Sequence, residues 1–343
     1  AAIATFLAGA GWRVARRRPL AGDASFRNYH RLTRSGPAAG ADISCAVLMD
    51  APPPREDVRP FLALARHLRG LGYSAPAIFA ADAEAGLLLL EDLGDDTFTR
   101  CLAAGTDGET ERRLYRLAVD LLIDLHRRPE AVCVALPAYD DERLLAEAFL
   151  LTDWYLPHVT GRPIPAEIRA DYERRWRALL AQARVGPQTL VLRDYHVDNL
   201  MWLPDRPGLA ACGLLDFQDA VIGPVAYDLV SLAEDARRDV DPGFARELVE
   251  HYLAAFPALE RDAFQGAYAI LGAQRSAKII GIFTRLMARD RKPQYLTHIP
   301  RVWRLLEADL AHPALAEMRD WFERHLPRER RQTPWVNVSE VAP

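Results

Sequence analysis

The sequence predicts an α+β protein of two lobes, a small antiparallel-sheet lobe with one helix followed by a large, mainly helical lobe. Three observations carry that prediction. Strand-like runs crowd the first ninety residues, apolar residues recur at helical spacing after Gly94, and only three short strand-like runs interrupt the helical part.

Along the chain, residues 26–32 alternate large and polar side chains, and 43–49 form a short apolar run. Residues 77–81 and 87–91 flank the turn-prone Asp82-Ala83-Glu84-Ala85-Gly86, which reads as a hairpin. Between these groups Pro52-Pro53-Pro54 stops the chain. Residues 56–71 then resume with Val58, Phe61, Leu62, Ala65 and Leu68 on one helical face, so one helix packs on the sheet. Farther on, 109–127, 141–156, 166–183, 244–256, 261–289 and 299–310 show the 3.6-residue period, and 190–192, 200–203 and 212–217 read as strands. The lobes join at Glu91-Asp92-Leu93-Gly94, which divides the chain into 1–92 and 93–343. The charged stretch 324–331 reads as a solvated end.

Composition narrows the function. At 343 residues, half of them hydrophobic, the chain buries a full core. Its net charge of −4 is spread without long one-sign blocks, so neither nucleic acid nor an anionic membrane is an expected partner, and a small molecule is. Cys45, Cys101, Cys133 and Cys212 form no C-x-x-C pair and sit among small or apolar neighbours, so they are expected to be buried reduced thiols. No apolar run reaches membrane-spanning length, and residues 1–10 are too short and too poor in charge for a signal peptide. A cytoplasmic protein is expected.

The chemistry concentrates in Val191-Leu192-Arg193-Asp194-Tyr195-His196-Val197-Asp198-Asn199-Leu200, followed by Leu214-Leu215-Asp216-Phe217-Gln218-Asp219. An Asp, an Asn five residues on, and a second Asp ending an apolar strand after a short hairpin supply what phosphoryl transfer needs. Asp194 can take the proton of an attacking hydroxyl. Asn199 and Asp216 offer hard oxygen ligands to Mg²⁺ bridging nucleotide phosphates. Upstream, Gly22, Asp23, Ala24, Ser25 and Phe26 form a turn before a strand that can cover phosphates. Leu90, Glu91, Asp92 and Leu93 lie at the lobe junction, where backbone groups can meet adenine, so 1–92 reads as a nucleotide-binding lobe for ATP.

These motifs resemble the aminoglycoside phosphotransferase-like kinases, relatives of the protein kinases, whose catalytic segment reads roughly H-G-D-x-H-x-x-N. The resemblance implies a protein-kinase-like fold, with His196 and Asp228 supporting the catalytic segment. A narrower resemblance rests on Leu20 to Arg27, on Leu48-Met49-Asp50-Ala51-Pro52-Pro53, on Leu88 to Gly94, on Asp216-Phe217-Gln218-Asp219-Ala220, on Gln274-Arg275 and on Gly281-Ile282-Phe283-Thr284-Arg285-Leu286. Those segments look like the anomeric N-acetylmuramate/N-acetylglucosamine kinases of bacterial cell-wall recycling. The resemblance implies an amino-sugar substrate phosphorylated at its anomeric hydroxyl.

The chain also departs from the pattern. Kinases of this kind hold the α- and β-phosphates with a third-strand Lys. Here Met49 stands in that place, and the only lysines are Lys278 and Lys292. Either an Arg such as Arg27 or Arg31 substitutes, or magnesium and backbone amides suffice; a nucleotide-binding pseudokinase is the third possibility. Leu192 replaces the usual His, and Asp198 adds a charge that would repel phosphate unless it is turned away. For the sugar, Arg193, Gln218, Arg275, Lys278 and Arg285 are the polar candidates, a cation suiting the lactyl carboxylate of N-acetylmuramate. Trp154 and Tyr155 could stack on a sugar or pack in the core. Aminoglycoside, choline and homoserine remain alternative acceptors.

Overall fold

The computed structural model describes residues 2–20, 26–34, 44–104 and 108–334. Helix α1 (Ala2–Gly9) leads into strands β1 (Arg16–Pro19), β2 (Asn28–Thr33) and β3 (Cys45–Asp50). Helix α2 (Arg59–Gly70) precedes the hairpin of β4 (Ile78–Asp82) and β5 (Leu87–Glu91), and α3 (Phe98–Ala103) and α4 (Gly108–Arg127) follow. Next come α5 (Asp141–Leu150), α6 (Leu156–Thr160), α7 (Ala166–Ala183) and β6 (Gln188–Val191). The short strands β7 (Leu200–Trp202), β8 (Cys212–Leu214) and β9 (Val221–Pro224) lead to the final helices α8 (Tyr227–Ala233), α9 (Pro242–Ala255), α10 (Arg261–Asp290), α11 (Ile299–Leu310) and α12 (Ala316–His325).

The chain forms two compact units, one of residues 1–135 with 197–219, the other of 136–196 with 220–343. In the first, all pairings of the five-stranded antiparallel sheet run in the order β1-β2-β3-β5-β4. Its central strands bury Leu48, Met49, Leu88 and Leu89 to 1% exposure or less. The β4–β5 turn needs Gly86: its φ is +69°, and a Cβ there would lie 2.0 Å from the Ala51 carbonyl oxygen. The β7–β8 hairpin belongs to the same unit, pairing Leu200 with Leu214.

In the second unit the long helix α10 packs against α5, α7, α8 and α11. Gly281 is the close crossing: a Cβ there would sit 2.2 Å from the Leu150 carbonyl carbon at the end of α5. The strand pair β6–β9 belongs to the same unit, with Leu190 opposite Ile222.

The expected hairpin and the helices 166–183 and 299–310 appear as read. Other expectations need correction. The helix expected from residue 56 begins at Arg59, because Asp57 accepts the Arg59 N–H at 3.0 Å in a turn and Pro60 suits a first helical turn. The helix expected over 141–156 loosens into a wide turn at Leu151–Tyr155 before α6. None of the four cysteines is in a disulfide, and only Cys212 is buried; Cys45 and Cys133 are exposed and Cys101 is intermediate. Nor is 324–331 simply solvated: Leu326 is buried, and Arg331 binds Glu307 at 2.5 Å and lies over the Trp303 ring. Tyr155 is a core residue whose hydroxyl accepts from Trp303 Nε1 at 3.1 Å.

Candidate active site

The segment carrying Asp194 leaves β6 through a constrained turn in the second unit. Arg193, immediately before Asp194, has φ +70°, a left-handed conformation that a side-chain-bearing residue adopts only when its surroundings impose it. What imposes it is Asp228, on the buried helix α8. Its two carboxylate oxygens separately accept the Leu192 N–H at 2.6 Å and the Arg193 N–H at 2.9 Å. Burial pushes the Asp228 carboxyl up to about 7, against the pull of those two donors. Leu192, which stands where the resembled kinases usually carry His, is buried and its backbone N–H donates to the same carboxylate, so the turn is held without an imidazole. Asp194 is half-buried; its N–H donates to the Leu192 carbonyl at 2.9 Å, and its carbonyl accepts from the His196 N–H at 3.2 Å.

His196 is buried, with Nε2 3.0 Å from Arg237 Nη1. A guanidinium only donates, so Nε2 accepts and the proton sits on Nδ1. Burial, with Arg237 adding to it, lowers the His196 pKa and keeps the ring neutral. His196 is thus a packing support for the turn.

A charged cluster lies in the same unit. Glu147, on α5, accepts from Arg193 Nη2, from the Tyr139 hydroxyl, from Gln274 Nε2 at 3.3 Å, and pairs with Lys278 Nζ at 3.1 Å. Burial pushes the Glu147 carboxyl up, but Lys278 and Arg193 more than reverse this, so it titrates below its ordinary value. Two cations on one carboxylate leave a net positive charge in a buried setting. Of the other sugar candidates, Arg275 is buried and donates to the Glu234 carbonyl at 3.2 Å. Arg285 lies two helical turns beyond Lys278 on α10, half-buried, its pKa lowered by burial and by Arg289.

In the first unit, Asn199 and Asp216 flank the open end of the β7–β8 hairpin, where the Leu215 N–H donates to the Asn199 carbonyl at 2.9 Å. Asp216, exposed, has φ +55°. Its Oδ1 accepts from Gln218 Nε2 at 2.7 Å and lies 3.7 Å from Arg27 Nη1. Gln218 is therefore a partner of Asp216. Phe217 stacks on Phe61 of α2 with ring centroids 5.1 Å apart, which fixes the strand end under Asp216. Asp198 does not aim at the site as a bare charge: it accepts from the Thr99 hydroxyl on α3.

Arg27, just before β2, binds Glu56 with Nε 3.0 Å from Oε2, and Glu56 also accepts the Phe26 N–H at 3.3 Å. Arg31 is turned elsewhere: it pairs with Asp92 at 2.6 Å and Asp95 at 2.8 Å and donates to the Gly94 carbonyl at 3.0 Å. Between β5 and α3, the Glu91 carboxylate takes Arg206 at 2.6 Å and the Ala77 N–H at 3.0 Å, and Asp92 also accepts the Gly94 N–H at 3.0 Å. Both side chains are thus engaged within the first unit. Gly22, Asp23, Ala24 and Ser25 lie outside the described residues. Sequence reasoning missed Glu147, Arg237 and Glu56 as site residues. Glu147 had a signal, an acid set among the buried Leu144, Leu145 and Ala148 of one helix.

The sequence pattern of the phosphotransferase enzyme family matches residues 16–264. The N-acetylmuramate/N-acetylglucosamine kinase of Caulobacter vibrioides is 39% identical over an alignment of 361 positions, covering 97% of this chain and 98% of the relative. The protein of the same name from Pseudomonas aeruginosa is 40% identical over 307 positions, covering 88% and 86%. Among solved structures, ADP-bound aminoglycoside phosphotransferase APH(2'')-Ib superposes with a TM-score of 0.57 at 16% identity, covering 88% of this chain and 94% of that one. A choline/ethanolamine kinase family protein from Mesorhizobium loti gives 0.58 at 15%, covering 94% and 98%. At such identities the likeness is one of fold, and it bears out the two-lobe kinase-like α+β class.

Proposed function

Because the chain belongs to the phosphotransferase enzyme family, we propose that it is a kinase that uses ATP and Mg²⁺ to phosphorylate N-acetylmuramate and N-acetylglucosamine at the anomeric hydroxyl, giving sugar 1-phosphates for peptidoglycan recycling in the cytoplasm. The observation that carries the reading is the left-handed Arg193 clamped by Asp228, which fixes the carboxylate that follows it. Asp194 accepts the proton of the attacking sugar hydroxyl, a role that contributes typically ~10²–10⁴-fold. Among the described residues no helix is long and apolar enough to cross a membrane, in keeping with a small water-borne substrate.

The donor set fits magnesium. An amide oxygen and a carboxylate oxygen are hard ligands, they flank one hairpin end, and Mg²⁺ completes its shell with water and phosphate oxygens. Asn199 and Asp216 would hold it, with Gln218 fixing the Asp216 carboxylate; when bound, the ion neutralises charge developing on the transferred phosphoryl group. Residues 1–92 are the nucleotide-binding lobe, with Phe26 and the backbone of Leu90, Glu91, Asp92 and Leu93 next to the base and phosphates, and 93–343 the catalytic lobe. The net positive charge of Arg193 and Lys278 around Glu147 suits the lactyl carboxylate of N-acetylmuramate. Arg275 and Arg285 are weaker candidates for the sugar, since Arg275 is occupied with Glu234.

The test is ATP consumption over a panel of N-acetylmuramate, N-acetylglucosamine, glucose, kanamycin, choline and homoserine, with the product located by phosphorus NMR. Anomeric phosphate on the two amino sugars, lost in Asp194→Asn, is the expected result. Turnover of another acceptor would displace the sugar assignment, and nucleotide binding with no turnover of any would favour a pseudokinase.

A further inference from the structure

Resting on the phosphotransferase reading above, we infer that Arg27, braced by Glu56, is the cation that grips the nucleotide's α- and β-phosphate oxygens in place of the third-strand lysine this chain lacks. Three independent features of the first unit lead there.

The first is strand register. Tyr29 of β2 pairs with Met49 of β3, and Asn28 with Asp50, so one step further along β2 sets Arg27 level with Ala51. Side chains two apart on a strand share a face, and cross-strand partners share it too. Arg27, Tyr29 and Met49 therefore project from the same face, with Arg27 the diagonal neighbour of Met49. Diagonal neighbours lie roughly 7–8 Å apart, within the reach of a long side chain. A guanidinium from position 27 can thus occupy the space of an ammonium from position 49.

The second is the pairing. Kinases of this architecture orient the phosphate-binding lysine with a glutamate from the helix of the small lobe. Here Glu56, three residues before α2, binds Arg27 Nε at 3.0 Å and also accepts the Phe26 N–H at 3.3 Å. One carboxylate fixes both the guanidinium and the backbone beside it. The third is direction: Arg27 Nη1 lies 3.7 Å from Asp216 Oδ1, so the cation sits beside the carboxylate that would hold magnesium, where polyphosphate oxygens must converge. Its side chain is 12% exposed, which strengthens its pull on an anion relative to a solvated arginine. Arg31, on the same face four residues on, is committed to Asp92, Asp95 and Gly94, which decides between the two arginines. A guanidinium brings a planar fork suited to two phosphate oxygens at once.

The experiment is calorimetric binding of Mg–ADP and of adenosine to the full chain, with melting temperatures alongside, for the wild type, Arg27→Met, Arg27→Lys, Glu56→Gln and the double variant Arg27→Met/Met49→Lys. Arg27→Met is expected to weaken Mg–ADP at least tenfold while leaving adenosine affinity within twofold. Arg27→Lys should keep most of the affinity, Glu56→Gln should lose part of it, and the double variant should regain several-fold over Arg27→Met. Affinity for Mg–ADP unchanged in Arg27→Met, or ADP and adenosine weakened in parallel, overturns the inference while leaving the kinase reading standing. A wild type that binds no Mg–ADP sinks both.

Discussion

Replacing Asp228 with Asn tests the clamp that presents Asp194. In the wild type the Leu192 and Arg193 N–H groups end on separate oxygens of one buried carboxylate, at 2.6 and 2.9 Å. Hydrogen bonds to a charged group contribute ~1.5–3 kcal/mol each, so together they supply ~3–6 kcal/mol toward holding the turn. Opposing them is the left-handed conformation of Arg193, which costs on the order of 1–3 kcal/mol. The clamp wins. An Asn side chain has one acceptor oxygen and turns its NH₂ toward the other donor. It keeps one neutral bond of about 0.5–1.5 kcal/mol and strands one buried N–H at a cost of ~1–3 kcal/mol. That balance no longer exceeds the strain, so the turn relaxes and Asp194 leaves its position.

At pH 8, where a carboxyl titrating at about 7 is ionised, Asp228→Asn is expected to lower kcat at least tenfold in an ADP-release assay at saturating sugar. Glycine adopts a left-handed conformation without steric cost. In an Arg193→Gly background the same substitution should therefore lose much less than it does in the wild type. Equal losses in both backgrounds, with all variants folded, would refute the strain argument. The same carboxyl has a pH signature. Its folded pKa of about 7 lies above the ordinary 3.8, so between those values the folded state holds a proton the unfolded chain has released. Its contribution to stability is full below pH 3.8 and is lost as pH rises through about 7, a slope that Asp228→Asn should flatten in urea titrations.

Lys278→Met should raise KM for N-acetylmuramate tenfold or more, the worth of a charge-assisted bond of at least about 1.5 kcal/mol, and leave N-acetylglucosamine within threefold; equal increases for both sugars would make Lys278 a structural partner of Glu147 only. Gly281→Ala forces a methyl to within 2.2–2.6 Å of Leu150 backbone and Cβ atoms, and should cost about 3 kcal/mol of stability by urea midpoint, the upper part of the overpacking range; an unchanged midpoint would mean that α5 and α10 can slide apart freely. Asp309 is buried and Glu234 half-buried, and both carboxyls are raised, Glu234 to about 7, by burial and, for Asp309, by the facing Glu234 carboxyl. Folded pKa values above the unfolded ones mean that their stability contribution is lost as pH rises, for Glu234 through about 7, and Asp309→Asn should level part of that fall.

Asp194, Asn199 and Asp216 were legible in the sequence because their signal is local: residue types in fixed order, each set against a short apolar run. Helices 166–183 and 299–310 were legible for the same reason, one face of each being apolar at a regular period. Helix α8 was not, since all seven of its residues are buried and an all-buried helix has no polar face to give it a period. Strand β1 was hidden too, for Arg-Arg-Arg-Pro has no strand composition and becomes a strand only by pairing with β2 at the sheet edge.

What the sequence by itself determined was the order of the chemistry: which carboxylate follows which strand, and that no lysine stands on the third strand. Partnership was decided by tertiary structure alone. Arg27 and Arg31 have the same side chain and share a strand face, and nothing local separates them. Folding brings Glu56, 29 positions away, to one of them, and Asp92 and Asp95, more than 60 positions away, to the other. A charge's role depends on what lies within a few ångströms of it, and that distance is set by packing, not by position along the chain.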